Sequence, residues 1–312
     1  MFTEKLKTVT QEVHLSCLKD TNNRLFLKRE DLIHPLVSGN KFRKLSYNIK
    51  EALQQQKKKL LTFGGAFSNH ILATAAAGKI AGLETIGVIR GDELGRDLSQ
   101  TLASNPTLRA AHANGMQFHF MSREQYRLKN SEDVNNDLLQ TFGDVYIIPE
   151  GGTNQLAVKG CEEILTNKDQ NFSHICVAVG TGGTIAGLIN SSSSHQQVLG
   201  FPALKGSFLE NEIQALVGGK SNWKLIEDYH FGGYAKYTPD LIAFINEFTD
   251  ETGILLDPIY TGKMLFGIIN LIQKGHFKEN STILAIHTGG IQGVEGFNQR
   301  LAKKNQETIK GI

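Results

Sequence analysis

From residue 60 onward the chain alternates short apolar runs, rich in β-branched residues, with longer segments in which apolar positions recur at helical spacing. The runs cover residues 60–63, 85–89, 145–148, 174–179 and 282–287. Such alternation predicts βαβ units, hence an α/β protein built on parallel sheets. Upstream, Phe42, Leu45, Ile49, Ala52 and Leu53 fall at the spacing of a helix with one buried stripe, which polar residues 54–59 end in solvent. A second helix is predicted over the alanine-rich residues 73–81. Apart from the serines at 191–194 there is no low-complexity tract, and neither a fixed-period repeat nor a Pro/Gly linker divides the chain.

Six Gly-Gly pairs interrupt this pattern, at 64/65, 151/152, 182/183, 218/219, 232/233 and 289/290. The pairs at 64/65, 182/183 and 289/290 follow a strand-like run and precede a helix-like one. That is where open α/β sheets bind ligands, at the carboxyl ends of strands. A single such pair reads equally well as a tight turn; three together point to a site.

Composition narrows the partners. The chain has 312 residues, 33 Lys+Arg against 31 Asp+Glu for a net charge of +2, 40% hydrophobic and 21% charged residues. That length leans towards two domains. Neither nucleic acid nor an anionic membrane is favoured by so balanced a charge, and the composition is that of a folded chain. No apolar stretch is long enough to cross a bilayer, and the opening residues carry Glu4, Lys5, Lys7 and Glu12 instead of an apolar signal core, so a cytoplasmic protein is expected. Cys17, Cys161 and Cys176 have neither disulfide-framework nor zinc spacing, and no metal site is expected. The signatures HExxH and GxSxG are also missing.

Three blocks carry candidate chemistry. Gly180-Thr181-Gly182-Gly183-Thr184 follows an apolar run and offers consecutive amides and two hydroxyls at a helix start, a cup for a phosphate. Ile185 breaks the dinucleotide fingerprint, and no Lys-Ser/Thr follows Gly187 to make a Walker loop. Ser38-Gly39-Asn40-Lys41-Phe42-Arg43-Lys44 opens the first helix with three cations at the positive end of its dipole, which something must compensate. Either Lys41 is an amine with a depressed pKa, as imine-forming lysines require, or it is a solvated charge at a helix start. In Gly64-Gly65-Ala66-Phe67-Ser68-Asn69-His70, Ser68 caps the following helix, or Ser68 and Asn69 with free amides grip a carboxylate. Loops around Gly151-Gly152-Thr153-Asn154, Tyr234, Asp257 to Lys263, and His287-Thr288 pair glycine or proline with hydrogen-bonding residues.

In this order, the blocks from Lys28-Arg29-Glu30-Asp31 to the last Gly-Gly pair resemble the pyridoxal-phosphate (PLP) enzymes of the tryptophan synthase β-type fold (fold type II), within them the 1-aminocyclopropane-1-carboxylate (ACC) deaminase and D-cysteine desulfhydrase group. The resemblance implies two α/β domains with PLP in the cleft between them: a larger, discontinuous one of residues 1–45 and 151–312, and a smaller one of residues 46–150. It implies that Lys41 is the Schiff-base lysine and that Gly180, Thr181, Gly182, Gly183 and Thr184 hold the phosphate. Asn69 and Thr288 would contact the cofactor ring, Ser68, Asn69, His70 and Tyr260 the substrate, and Ser68, Tyr234 and Tyr260 would serve catalysis beside Lys41. A small amino-acid substrate and a homodimer are implied too.

Within the group, Thr261 and Thr288 stand where the ACC deaminase branch has glutamate and leucine, and both match the desulfhydrase pattern. Phe67 departs from the glutamine usual before the Ser-Asn pair. β-Elimination from D-cysteine is therefore the expected activity, with ACC deamination or a catalytically weak PLP-binding role as alternatives.

Overall fold

The computed structural model describes residues 8–206 and 208–311, so Glu4, Lys5 and Lys7 of the opening stretch lie outside it. Among the described residues ten strands form: β1 (Thr10–Val13), β2 (Arg24–Lys28), β3 (Lys59–Gly65), β4 (Glu84–Arg90), β5 (Met116–Met121), β6 (Val145–Ile148), β7 (His174–Val179), β8 (Gln197–Pro202), β9 (Trp223–Leu225) and β10 (Thr282–Ile286). They make a six-stranded sheet, β1-β2-β10-β7-β8-β9, and a four-stranded sheet, β5-β4-β3-β6. Every pairing is parallel except β1 with β2. The fold is thus α/β with mostly parallel sheets, as the alternation predicts.

The five predicted runs are strands covered on both faces. In β7, Ile175, Val177 and Val179 enter a core shared with Ile185 and Leu188, while Cys176 and Ala178 enter one shared with Ile245, Phe248 and Ile268. Apolar residues are needed at every position, which is why the run is continuous. In β3, Leu60 and Leu61 divide between two cores in the same way.

Seven helices matter for the site: α1 (Asn40–Gln54), α2 (Asn69–Ala81), α3 (Pro106–Ala113), α4 (Gln155–Glu162), α5 (Gly183–Ser191), α6 (Thr261–Gln273) and α7 (Val294–Ala302). Phe42, Leu45, Ile49 and Ala52 bury the expected stripe of α1, but Leu53 is 48% exposed. It lies about 100° around the helix from Ala52, past the edge of the stripe. Helix α2 starts four residues earlier than the alanines suggest. Ala73, Ala76 and Ala77 pack towards α1, and Ala75 packs with Leu108 of α3, so two neighbours approach one helix and only small side chains fit. Among the described residues no helix is long and apolar enough to cross a membrane.

The carboxyl ends of β3, β7 and β10, with the three glycine pairs that follow them, open into one cleft of about 520 Å³ between the two sheets.

Candidate active site

Helix α1 enters the cleft at a fixed point. Gly39 precedes it at φ +64°, and a Cβ there would stand 1.9 Å from the Thr288 carbonyl oxygen, so only glycine is accommodated. The Asn40 amide donates to that same oxygen at 3.2 Å. Neither Ser38 nor Asn40 caps the helix: no side-chain cap bond forms, and Ser38 Oγ donates to the Asp31 carbonyl instead.

The three cations are each handled differently. Arg43 is buried and grips Glu30 through Nε at 2.9 Å and Nη2 at 3.1 Å, with Glu163 3.8 Å from Nη1. Lys44 is buried too, and its Nζ donates to the Gly151 carbonyl (3.0 Å), Thr153 Oγ1 (2.8 Å) and Thr181 Oγ1 (3.4 Å). Removal from water, with the charge of Lys41 nearby, pulls its amine down to about 7. Lys41 lies half-buried in the cleft wall, and no hydrogen bond to its Nζ is found among the described residues. Desolvation lowers that amine to about 8, so its neutral form is far more accessible near neutral pH than that of a solvated lysine. A solvated lysine would show neither the burial nor the shift.

Loop 180–184 leaves β7 and opens α5 through Gly182 at φ +79°. The first α5 amides have no partner inside the helix and point to the anion side. The hydroxyls behave differently from the sequence reading. Thr181 Oγ1 is 2.5 Å from Thr153 Oγ1, and Thr184 Oγ1 accepts from Asn40 Nδ2 at 2.8 Å while bonding the Cys161 sulfur. Thr184 therefore offers an anion its amide, and the positive charge at this end comes from Lys44, a residue the sequence marked only as one of three cations.

Across the cleft, Ser68 occupies the cap position of α2 but its side chain caps nothing. His70 is buried. Thr62 Oγ1 donates to the Ile148 carbonyl at 2.9 Å, so it must accept from His70 Nε2–H at 2.8 Å, which leaves Nδ1 as a bare acceptor. Burial and the charges of Lys41 and Lys44 push the imidazole well below its usual value, keeping it neutral. His70 Nδ1 and Asn69 Oδ1 are buried without hydrogen-bond partners among the described residues. Phe67, 49% exposed, lies at the rim against Gly296 of α7.

Tyr234 and Tyr260, both expected to serve catalysis, are together. Their ring centroids are 6.3 Å apart, edge to face, and each hydroxyl perturbs the other's titration. Desolvation, then the neighbouring Tyr234, raises the Tyr260 hydroxyl well above its usual value, so it stays a proton donor. Asp257 fixes the Tyr260 turn: it accepts from the amides of Ile259, Tyr260 and Thr261 at 2.8–2.9 Å and from Thr261 Oγ1 at 2.7 Å. Lys263, buried and lowered to about 8 by desolvation, ties down the Tyr234 loop through the carbonyls of His230 and Gly233, each at 2.9 Å. The sequence placed Asp257 and Lys263 in one loop but could not show what they hold. Thr288 lines the cleft beside Lys41.

A model of the family described as pyridoxal-phosphate dependent enzyme matches residues 4–289. The chain belongs to that family. PLP is its cofactor, and the residues present fit it: an amine of lowered pKa with no hydrogen-bond partner among the described residues, a glycine loop at a helix start with a cation beside it, and an orphaned amide oxygen. The enzyme is 33% identical over 294 residues to the bifunctional D-cysteine desulfhydrase/1-aminocyclopropane-1-carboxylate deaminase of Arabidopsis thaliana, covering 86% of this chain and 73% of the relative. With the D-cysteine desulfhydrase of Yersinia enterocolitica it shares 26% identity over 315 residues, 92% of this chain and 93% of that one. A crystal structure described as an ACC deaminase homologue superposes with a TM-score of 0.80 at 30% identity, over 95% of this chain and 93% of its own.

Proposed function

We propose that this PLP enzyme catalyses β-elimination from a small amino acid, D-cysteine plus water giving pyruvate, hydrogen sulfide and ammonia. The observation that carries the reading is at Thr261. The residue after Tyr260 is a fully buried threonine whose hydroxyl donates to Asp257, so Tyr260 faces the cleft with no carboxylate beside it in sequence. A phenol held protonated by its burial suits donation to a departing sulfur.

PLP, when bound, supplies an electron-withdrawing ring that makes loss of the α-proton feasible. Lys41 is positioned to hold it and then to take up the α-proton as a base, which the lowered pKa favours. The amides opening α5 and the Lys44 ammonium would bind its phosphate, and the Asn69 side chain and the Thr288 hydroxyl would meet its ring. Ser68 Oγ and the free amides at the start of α2, those of Asn69 and His70, would bind the substrate carboxylate. Tyr260, oriented by Asp257 and Tyr234, would protonate the leaving sulfur. The same reading makes residues 46–150 the smaller domain, and the protein a cytoplasmic homodimer.

The name of the Arabidopsis relative favours a second reading, conversion of ACC and water into 2-oxobutyrate and ammonia. One screen separates them: the PLP-loaded protein is given both cysteine enantiomers, ACC and a panel of other amino acids, and the oxo acid and sulfide released are measured. Pyruvate and sulfide from D-cysteine support elimination. Release of 2-oxobutyrate alone supports ring opening, and a yellow protein inert to the whole panel would leave only a PLP-binding role.

A further inference from the structure

The wall of the cleft formed by the smaller sheet carries one charge that the reaction above does not use. Arg90 is the last residue of β4 and lines the cleft beside Gly65, its neighbour in register on β3. Its Nη2 lies 3.6 Å from where a Cβ on Gly65 would stand, and its Cζ lies 5.9 Å from the centre of the buried Tyr126 ring. The guanidinium, exposed at the strand end, thus lies between a bare backbone and an aromatic ring.

No ion pair of Arg90 with a carboxylate is found among the described residues. The acidic side chain nearest to hand in the cleft lining, Glu150, has both oxygens engaged, Oε1 by the Tyr126 hydroxyl at 2.9 Å and Oε2 by Lys129 at 3.2 Å. The positive charge at this rim is left over. It is not required for an α-carboxylate, since the uncapped start of α2 supplies free amides and the Ser68 hydroxyl on the same wall. Nor is it required for a cofactor phosphate, which Lys44 and loop 180–184 serve on the other wall.

We propose that Arg90 selects amino acids whose side chain ends in an anionic oxygen group, a carboxylate or its like, held bidentately by the guanidinium at the cleft mouth. The inference rests on the amino-acid elimination proposed above and extends its substrates from D-cysteine to β-substituted amino acids that carry such a group. Phe67 and Tyr234, both exposed at the rim, would flank the aliphatic part of such a side chain.

The test uses a near-isosteric pair, S-carboxymethyl-cysteine and S-carbamoylmethyl-cysteine, each enantiomer separately, with the PLP-loaded protein and its Arg90→Gln and Arg90→Lys variants. Binding is read from the change in the cofactor's visible absorbance on titration, and turnover from pyruvate released with the thiol. The expected result is that the wild type prefers the carboxymethyl compound by about tenfold or more, the scale of one charge-assisted contact, in Kd and in KM rather than kcat. Arg90→Gln should erase the preference and Arg90→Lys retain part of it. Equal binding of the two compounds by the wild type, equal losses on both in Arg90→Gln, or binding of neither would overturn the proposal. If the Arg90-dependent preference appears in the titration while no amino acid releases an oxo acid, the elimination reading fails and the inference about Arg90 stands.

Discussion

The two walls of the cleft differ in how completely their polar groups are engaged. On the wall carried by the larger sheet and the start of α1, Arg43, Lys44, Thr153, Thr181, Thr184 and Asp257 all have partners, whereas the exception, Lys41 Nζ, has none among the described residues. On the wall of the smaller sheet, the Ser68 hydroxyl caps nothing, Asn69 Oδ1 and His70 Nδ1 are orphans, and Arg90 forms no ion pair among the described residues. Groups fixed in advance suit a resident cofactor, whereas groups left open suit molecules that come and go, with Asn69, assigned above to the cofactor ring, shared between the two. The difference says where to look for family chemistry and where for substrate choice.

The sharpest break of this comparison is at the exception. Lys41→Ala should lower turnover by about 1000-fold or more, the scale for removing a covalent catalyst, and abolish the visible absorbance of a lysine-bound cofactor. Full turnover in that variant would remove Lys41 from the chemistry. Lys44→Met should weaken PLP retention by about 10- to 100-fold, as loss of a charged hydrogen-bonding group does, measured by titrating the apoprotein. Its pH dependence has a definite sign. Because the Lys44 amine is held near 7, it is mostly neutral at pH 8 and charged at pH 6, so sulfate should bind the apoprotein more tightly as pH falls across that window. The Lys44→Met variant should show a flatter profile.

Asp257→Asn tests how firmly the engaged wall is built. It leaves one acceptor oxygen for donors that now fill two, and places an amide against N–H groups. A stability loss of about 1–3 kcal/mol is expected, a fall in Tm of several degrees by thermal melt. The smallest effect belongs to the open wall: Phe67→Gln should change KM for small amino acids by about tenfold or less, the range for a rim contact, with the cofactor absorbance unmoved. If cofactor affinity moved instead, the division between the walls would be wrong.

What was legible in the chain follows burial. Strands β3, β4, β6, β7 and β10 are continuous apolar runs and were predicted. Strands β1, β5 and β9 lie at sheet edges and β2 carries Arg24 and Lys28 at its ends, Lys28 reaching the buried Asp169 at 2.6 Å, so their patterns are mixed. Gly200 and Pro202 disguise β8. In the site, the glycine loops stood out by residue type and order, and Lys41, Tyr234 and Tyr260 through the resemblance. Lys44, Thr153, Lys263 and Arg90 did not, because their surroundings come from segments up to 137 positions away, as between Lys44 and Thr181.

At the mouth, the Phe67 ring rests on Gly296, whose missing side chain leaves a smooth seat, and the neighbouring tie between Arg109 and Glu295 at 3.3 Å is solvent-washed. An aromatic plate on bare backbone has no teeth to disengage. A Cβ at Gly296 would stand 3.1 Å from that ring, so a larger residue there would push Phe67 off its seat and reshape the mouth through which molecules enter.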